Sequence, residues 1–363
     1  AWEHLAWAHI RMGQRDSARL ALDTLRRVAG PAEEGDIHLP DLLQVAFGFR
    51  FPGGSQGPDP GPLRSPAVLP LAARGALAFD LPELQLELGR TLAGLPKASP
   101  ATRGNGQVAQ AVALVSLGRP MAALAHFDSA AILFGSDEAR LQAAEWRVVP
   151  PALGSPGYFP VEVDRGRAML ATLLAEPALA ARAGWALGLD ALSRGDTTGA
   201  RGYQVRTNPT PRNDRPLGLL LQAWQAAAAG RYDEALAISA PALGFDSAGA
   251  APDPFFRSAL HLKRGEWFQA TQRPDLTDRS WIWYEALDLV GWPHAEAQAG
   301  EVDWALAPWT RWRRGSLALS QGRRAEGCAH LKRVLALWTG AEEGLAPMVK
   351  EVRDRARGCS ADE

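Results

Sequence analysis

Cysteine is nearly missing from this chain: of its 363 residues only Cys328 and Cys359 carry a thiol. No histidine has a second Cys near it, and none of the seven histidines (His4, His9, His38, His126, His261, His294, His330) forms a His-Glu-x-x-His or His-x-x-Glu-His pair. Metal-ligand spacing is therefore absent, and no metal or other cofactor is expected. An excess of charge is missing too: 39 basic residues face 40 acidic ones, a net charge of −1. No global field favours nucleic acid or an anionic membrane. Tyr, Ile and Thr are scarce, which argues against extensive sheet. Long apolar runs are also lacking. The longest mostly apolar uncharged stretch, Leu217 to Gly230, is interrupted by Gln222 and Gln225 and falls short of the roughly 20 residues a spanning helix needs. No signal peptide opens the chain. Ala1-Trp2-Glu3-His4 begins in helical rhythm without an initiator Met, which implies a processed product or a piece of a longer protein.

What is present points to many short helices. Alanine and leucine dominate, punctuated by 27 Pro and 36 Gly, a composition suited to helices joined by turns. A spacing recurs: a turn glycine, then small or apolar residues five, nine and twelve positions later. Gly118, Ala123, Phe127 and Ala130 show it best. Gly230, Ala235, Ser239 and Ala242 repeat it. Weaker copies start at Gly13 (Ala18, Leu22, Leu25), Gly195 (Ala200) and Gly322 (Gly327, Leu331, Val334). A small residue five after the turn lets two helices approach closely. Paired helices at periods of 30 to 45 residues are the signature of a solenoid, because one hairpin cannot bury its apolar face alone.

This pattern predicts an all-α protein, a right-handed α-solenoid of antiparallel helical hairpins. An N-terminal set spans 1–149 and contains a Gly/Pro-rich loop at 51–66. A tryptophan-rich C-terminal set spans 160–363 and continues from the first. The joint is placed at Pro150 to Pro160, and a polar loop at Pro96 to Asn105. Asp80 is expected to cap the helix that follows it, with Glu83 three residues on.

The residues Gly118, Ala123, Phe127 and Ala130, and above all Gly230-Arg231-Tyr232-Asp233-Glu234-Ala235-Leu236, resemble the tetratricopeptide repeat family. A second resemblance covers about the last 110 residues. Trp281-Ile282-Trp283-Tyr284, Gly291-Trp292-Pro293, Ala297 to Trp304 and Cys328 to Trp338 are similar to the repeat segments that follow bacterial membrane-anchored serine/threonine kinases. The chain itself has no kinase motif: no glycine-rich loop with Val-Ala-x-Lys, no His-Arg-Asp and no Asp-Phe-Gly. The resemblance implies a non-catalytic sensor or scaffold portion.

Two motifs mimic active sites. Gly53-Gly54-Ser55-Gln56-Gly57 matches a nucleophile elbow, but its flanks, Phe51-Pro52 and Pro58-Asp59-Pro60, read as loop instead of strand and helix. Gly104-Asn105-Gly106-Gln107-Val108-Ala109 resembles a dinucleotide fingerprint without the preceding strand, so Asn105 is read as a helix cap. The basic, aromatic run Trp309 to Arg314 has the composition of a single-strand binder, but balanced charge favours an amphipathic helix with its Arg side in solvent.

Eight of the thirteen tryptophans lie between Trp267 and Trp338. They are read either as a packed core or as a binding face, since Trp and Arg are favoured at hot spots. In the second reading Trp281, Trp283, Trp292, Trp304, Trp309 and Trp312, with Arg313, contact a protein partner. Cys328 and Cys359 fall at ends of neighbouring helices and are expected to bridge, the alternative being two unrelated thiols. A bridge implies an oxidising compartment, periplasmic or extracytoplasmic; without it the protein is cytoplasmic. The expected function is a protein-interaction scaffold or sensor with no active site. Alternatives are an accessory subunit docked on a larger, membrane-associated complex, and a module binding a peptide or small molecule.

Overall fold

The structure, a computed structural model, describes residues 2–29, 39–51, 68–207, 215–245, 253–282 and 298–359. Within them the protein is all-α: 18 α-helices, two short 3-10 turns and no strand. The first half holds α1 (Trp2–Arg11), α2 (Arg15–Ala29), α3 (Leu39–Arg50), α4 (Leu69–Ala78), α5 (Pro82–Ala93), α6 (Pro100–Ser116), α7 (Pro120–Phe134) and α8 (Asp137–Ala152). The second holds α9 (Pro160–Leu173), α10 (Ala180–Ser193), α11 (Thr197–Thr207), α12 (Arg215–Ala228), α13 (Tyr232–Ser239), α14 (Phe256–Ala270), α15 (Pro274–Trp281), α16 (Gln298–Ser320), α17 (Arg324–Leu337) and α18 (Ala346–Ala356). Of the expected loop at 51–66, only residue 51 lies among the described residues.

One turn joins the helix pairs. At Gly118 (φ +73°) the chain enters the left-handed region. The Gly118 N–H donates to Val115 O (3.0 Å) and the Arg119 N–H to Leu114 O (2.8 Å), so the last carbonyls of α6 are satisfied and the chain reverses. The same two bonds recur at Gly13, Asp80, Gly154, Gly195, Gly230, Gln272 and Gly322, all with positive φ. Two of these eight turns have no glycine and stand outside the sequence pattern. The residue five places on is buried in seven of them, at Ala18, Gln85, Ala123, Ala200, Ala235, Thr277 and Gly327. At the Gly154 turn it is Phe159, 48% exposed.

Three sequence expectations need correction. Asp80 does not cap α5. It occupies the left-handed turn position (φ +62°), and Leu81 stands at the cap without a side-chain bond. The loop expected up to Asn105 is helical from Pro100, because Ser99 accepts from the Thr102 N–H (3.1 Å) and caps the helix there. Gly104 and Gly106 are thus packing positions inside α6. A Cβ on Gly106 would stand 2.5 Å from the Ala93 backbone nitrogen, so its lack of a side chain sets the close crossing of α5 and α6. The joint expected at Pro150 begins later, since α8 runs through Pro150 and Pro151 to Ala152. These prolines sit in its last turn, where burial of Val148, Val149, Pro150 and Ala152 outweighs the missing N–H groups.

Consecutive helices pack against each other, and a second set of contacts links α8 to α10, α10 to α12, α12 to α14 and α14 to α16. The chain then returns on itself. α16 packs against α4 and α6, which lie between 182 and 251 residues earlier in sequence. The seam is polar as well as apolar. Arg74 pairs with Glu301. Asp80 accepts from Arg311 Nη1 (2.7 Å) and Arg333 Nε (2.7 Å). Both carboxylate oxygens of Glu342 accept from the first turn of α7, at the Met121 and Ala122 N–H groups (2.8 Å each). An acid at a helix start satisfies free donors and opposes the dipole. Two glycines make room at the seam: Gly118 lies against Trp338, and a Cβ on Gly157 would strike Leu345 Cδ1 at 1.9 Å.

Candidate functional site

The tryptophans expected to form a binding face divide. Trp304 and Trp309 are 5% and 2% exposed and belong to the core that α16 buries against the first half. Trp281 is 2% exposed and donates from Nε1 to Leu262 O (3.3 Å). Its indole fills the space above Gly265, where a Cβ would meet Nε1 at 2.2 Å. Trp283 and Trp292 lie outside the described residues, as does the Gly53–Gly57 motif. Only Trp312 is half-buried and reaches the surface, together with Arg313.

The structure brings Trp281, Trp312 and Arg313 to one place. A cleft of about 430 Å³ opens between α14, α16 and α18, lined by these three with Gln269, Ser316 and Arg355. Arg313 is held in a fixed pose. Its guanidinium lies 4.3 Å from the centroid of the Trp309 ring and 5.8 Å from that of Trp281. Its Nη1 donates to Glu266 Oε1 (2.5 Å). Glu266 also accepts from Lys263 Nζ (2.9 Å), whose ammonium stands 4.0 Å over the Trp224 ring. Burial pushes the Lys263 amine below its ordinary value, with Glu266 opposing that shift. Trp312 Nε1, Arg313 Nε and Ser316 Oγ are buried and have no hydrogen-bond partner among the described residues. The cleft is floored by indole surface and has two arginines at its rim, chemistry suited to an acceptor-bearing partner.

The rest of the basic run is committed inside the fold. Arg311 pairs with Asp80 and Arg314 with Asp278 (2.8 Å). The solvated Arg side expected of this helix is therefore replaced by ion pairs to other elements. No local signal in α16 reveals those acids, which lie on distant stretches of chain.

A second titratable cluster lies in the centre. Arg182 Nη2 donates to Glu145 Oε2 (2.8 Å) and its Nε to Asp253 Oδ2 (2.6 Å), and it also pairs with Glu138. Glu145 and Asp253 are 0% and 1% exposed. Burial raises the Glu145 carboxyl well above the ordinary carboxylate range, opposed by Arg182 and reinforced by the neighbouring Asp253. A third buried set joins Arg257 and Ser258 of α14 to Asp303 of α16, whose carboxyl is raised by burial. These groups link α8, α10, α14 and α16 through side-chain contacts.

Cys328, early in α17, and Cys359, just past α18, form a disulfide, with Cα atoms 5.6 Å apart. It ties the segment that lines one side of the cleft, through Arg355, to α17. No described helix is long and apolar enough to cross a membrane. Compared with protein-family models and with curated proteins, the chain matches none.

Proposed function

We propose that the protein is a non-catalytic interaction module: a right-handed α-solenoid of tetratricopeptide-like hairpins, bent until its last long helix meets its early ones. A protein partner binds at the cleft between α14, α16 and α18. The single observation that carries this reading is the convergence of Trp312, Arg313 and Arg355 on one open cleft, floored by Trp281. Arg313 is pinned by Glu266 and two indole faces, so little side-chain entropy is lost when a partner engages it. The repeated turn supports the scaffold part of the reading, because hairpin arrays present fixed surfaces for contact. The disulfide supports residence in an oxidising, extracytoplasmic compartment. An accessory-subunit role in a larger complex uses the same cleft.

The test compares partner capture by the wild-type protein with capture by Trp312→Ala and Arg355→Glu variants. A protein retained in stoichiometric amount by wild type and lost by both variants supports the reading. Equal capture by all three refutes it.

A further inference from the structure

α18 is held to the fold along one narrow edge. Met348, Val352 and Ala356, at successive four-residue steps, form that edge. Of the helix's 11 residues only Val352 is fully buried, whereas the eight residues of α15 bury Thr277, Ser280 and Trp281. Open volume flanks the edge on both sides. Arg355 lines the cleft of about 430 Å³ that it shares with Trp312 and Arg313. Ala346, Val349, Lys350 and Arg353 line a second cleft of about 360 Å³, closed on its other side by Leu335 and Trp338. Nine residues at about 100° each put Arg355 on the side of the helix opposite Ala346. α18 thus stands between two clefts.

The charges on this segment do not fasten it. Lys350 pairs with Asp354 (2.9 Å), Arg355 with Glu351 (2.8 Å) and Arg357 with Asp354 (3.0 Å), all inside the helix or at its end. The start of α18 is anchored at the seam, where Leu345 is buried against Gly157 and Glu342 bonds the first turn of α7. The far end is fastened to α17, by Arg324 donating to the Gly358 carbonyl and by the Cys328–Cys359 bond. Cys328 is 5% exposed and Cys359 is half-buried, so Cys359 carries the sulfur more open to attack.

We propose that Cys328–Cys359 is a redox latch on α18: opening it lets the helix swing out from between the two clefts, still tied at the seam, and takes Arg355 away from Trp312 and Arg313. The reductant is a dithiol. One of its thiolates attacks Cys359 Sγ, the Cys328–Cys359 bond breaks, and Cys328 leaves as a thiolate that takes up a proton. The second thiolate of the dithiol then attacks the dithiol's own sulfur in this mixed disulfide. The dithiol departs as a disulfide, Cys359 is released and protonated, and two electrons have passed to the protein. The bond closes a 31-residue separation, so its loss raises the entropy of the undocked helix. The oxidised protein is then the form with a complete cleft. This control of binding rests on the cleft reading above, whereas the latch stands on the packing of α18 alone.

The test follows amide hydrogen exchange of the full chain by mass spectrometry, oxidised and reduced with dithiothreitol. Reduction is expected to speed exchange in residues 346–356 by roughly 100-fold or more and to leave α14 and α16 unchanged. Hydroxyl-radical footprinting of the Cys328→Ser, Cys359→Ser double variant, free of reductant, is expected to label Met348 and Trp312 more than in wild type. Trp146 and Trp185, both 0% exposed, stay unlabelled and report an intact core. Unchanged exchange in 346–356 overturns the latch, and so does a rise that spreads through α14 and α16, since the bond then holds the whole fold. Faster exchange in 346–356 with Trp312 labelling unaltered overturns the link to the cleft. A protein captured by the oxidised chain and released by dithiothreitol supports the control of binding, and equal capture in both states overturns it. Failure of the oxidised chain to capture any protein refutes the docking cleft and leaves the latch to be decided by exchange.

Discussion

Asp80 and Gln272 hold the same place in the repeating turn, and replacing each by glycine separates backbone strain from side-chain partnership. Both are in the left-handed region, at φ +62° and +58°. A non-glycine residue there costs about 1–2 kcal/mol, and a glycine gives back about 0.5–1 kcal/mol through the freer unfolded chain. Gln272→Gly is therefore expected to stabilise by about 0.5–1 kcal/mol. Asp80→Gly gains no more than this, since Asp tolerates the left-handed region better than most residues. It also loses the carboxylate that Arg311 and Arg333 share. Arg311 is 13% exposed on its side chain, and stranding a part-buried guanidinium costs about 2 kcal/mol. Arg333 is 38% exposed, and its pair is worth about 0.5 kcal/mol. The net expectation is a loss of about 2 kcal/mol. For a chain this long that lowers Tm by about 2–3 °C, while Gln272→Gly raises it by about 1 °C. Scanning calorimetry of the three proteins side by side, with urea midpoints by circular dichroism, measures the difference in sign. An Asp80→Gly protein at or above wild-type stability would refute the claim that Asp80 serves the seam.

Two further predictions follow from the buried charges and the disulfide. The Glu145 carboxyl is raised by burial, so the folded protein binds this proton more tightly than the unfolded chain does. Its contribution then weakens as pH climbs from the ordinary Glu value, about 4.3, through the folded value. Glu145→Gln keeps Asp253 and Glu138 for Arg182 and removes that slope, so its Tm should rise relative to wild type between pH 5 and pH 8; a constant difference sinks the assignment. Reduction of Cys328–Cys359, which closes a 31-residue separation, should cost roughly 3–4 kcal/mol, add two daltons, and open the Arg353 and Arg355 peptide bonds to trypsin first. Unchanged cleavage order after reduction argues against a staple on α18.

The sequence made some of this legible and hid the rest for physical reasons. Gly118 and Gly230 announce their turns because a left-handed residue is cheapest as glycine. The copies at Asp80 and Gln272 have no such letter, and their burial partners, Gln85 and Thr277, are polar. Helix positions in α7, α9 and α12 to α14 follow the apolar rhythm closely. The start of α6 does not, because Gly104 and Gly106 read as a turn although they serve a close helix crossing. Of the proposed site, Trp281, Trp312 and Arg313 line one cleft, whereas Trp304 and Trp309 are core. What decides between them is the arrival of α16 against α4 and α6. That pairing leaves no trace in any local window, nor do the acids that meet Arg311, Arg313 and Arg314.

That closure has a kinetic side. Most hairpin arrays settle as they emerge, each pair needing only its neighbour. Here α4 and α6 cannot reach their final environment until the residues of α16 have been synthesised, since Arg74 waits for Glu301, Asp80 for Arg311, and the start of α7 for Glu342. Such distant pairings raise contact order and slow the last step of folding. During synthesis the apolar flank of α4, with Leu69, Ala72 and Ala76 fully buried at the end, stays open to wrong partners. The apolar flank of α4 is thus more open to aggregation in the nascent chain than in the finished one.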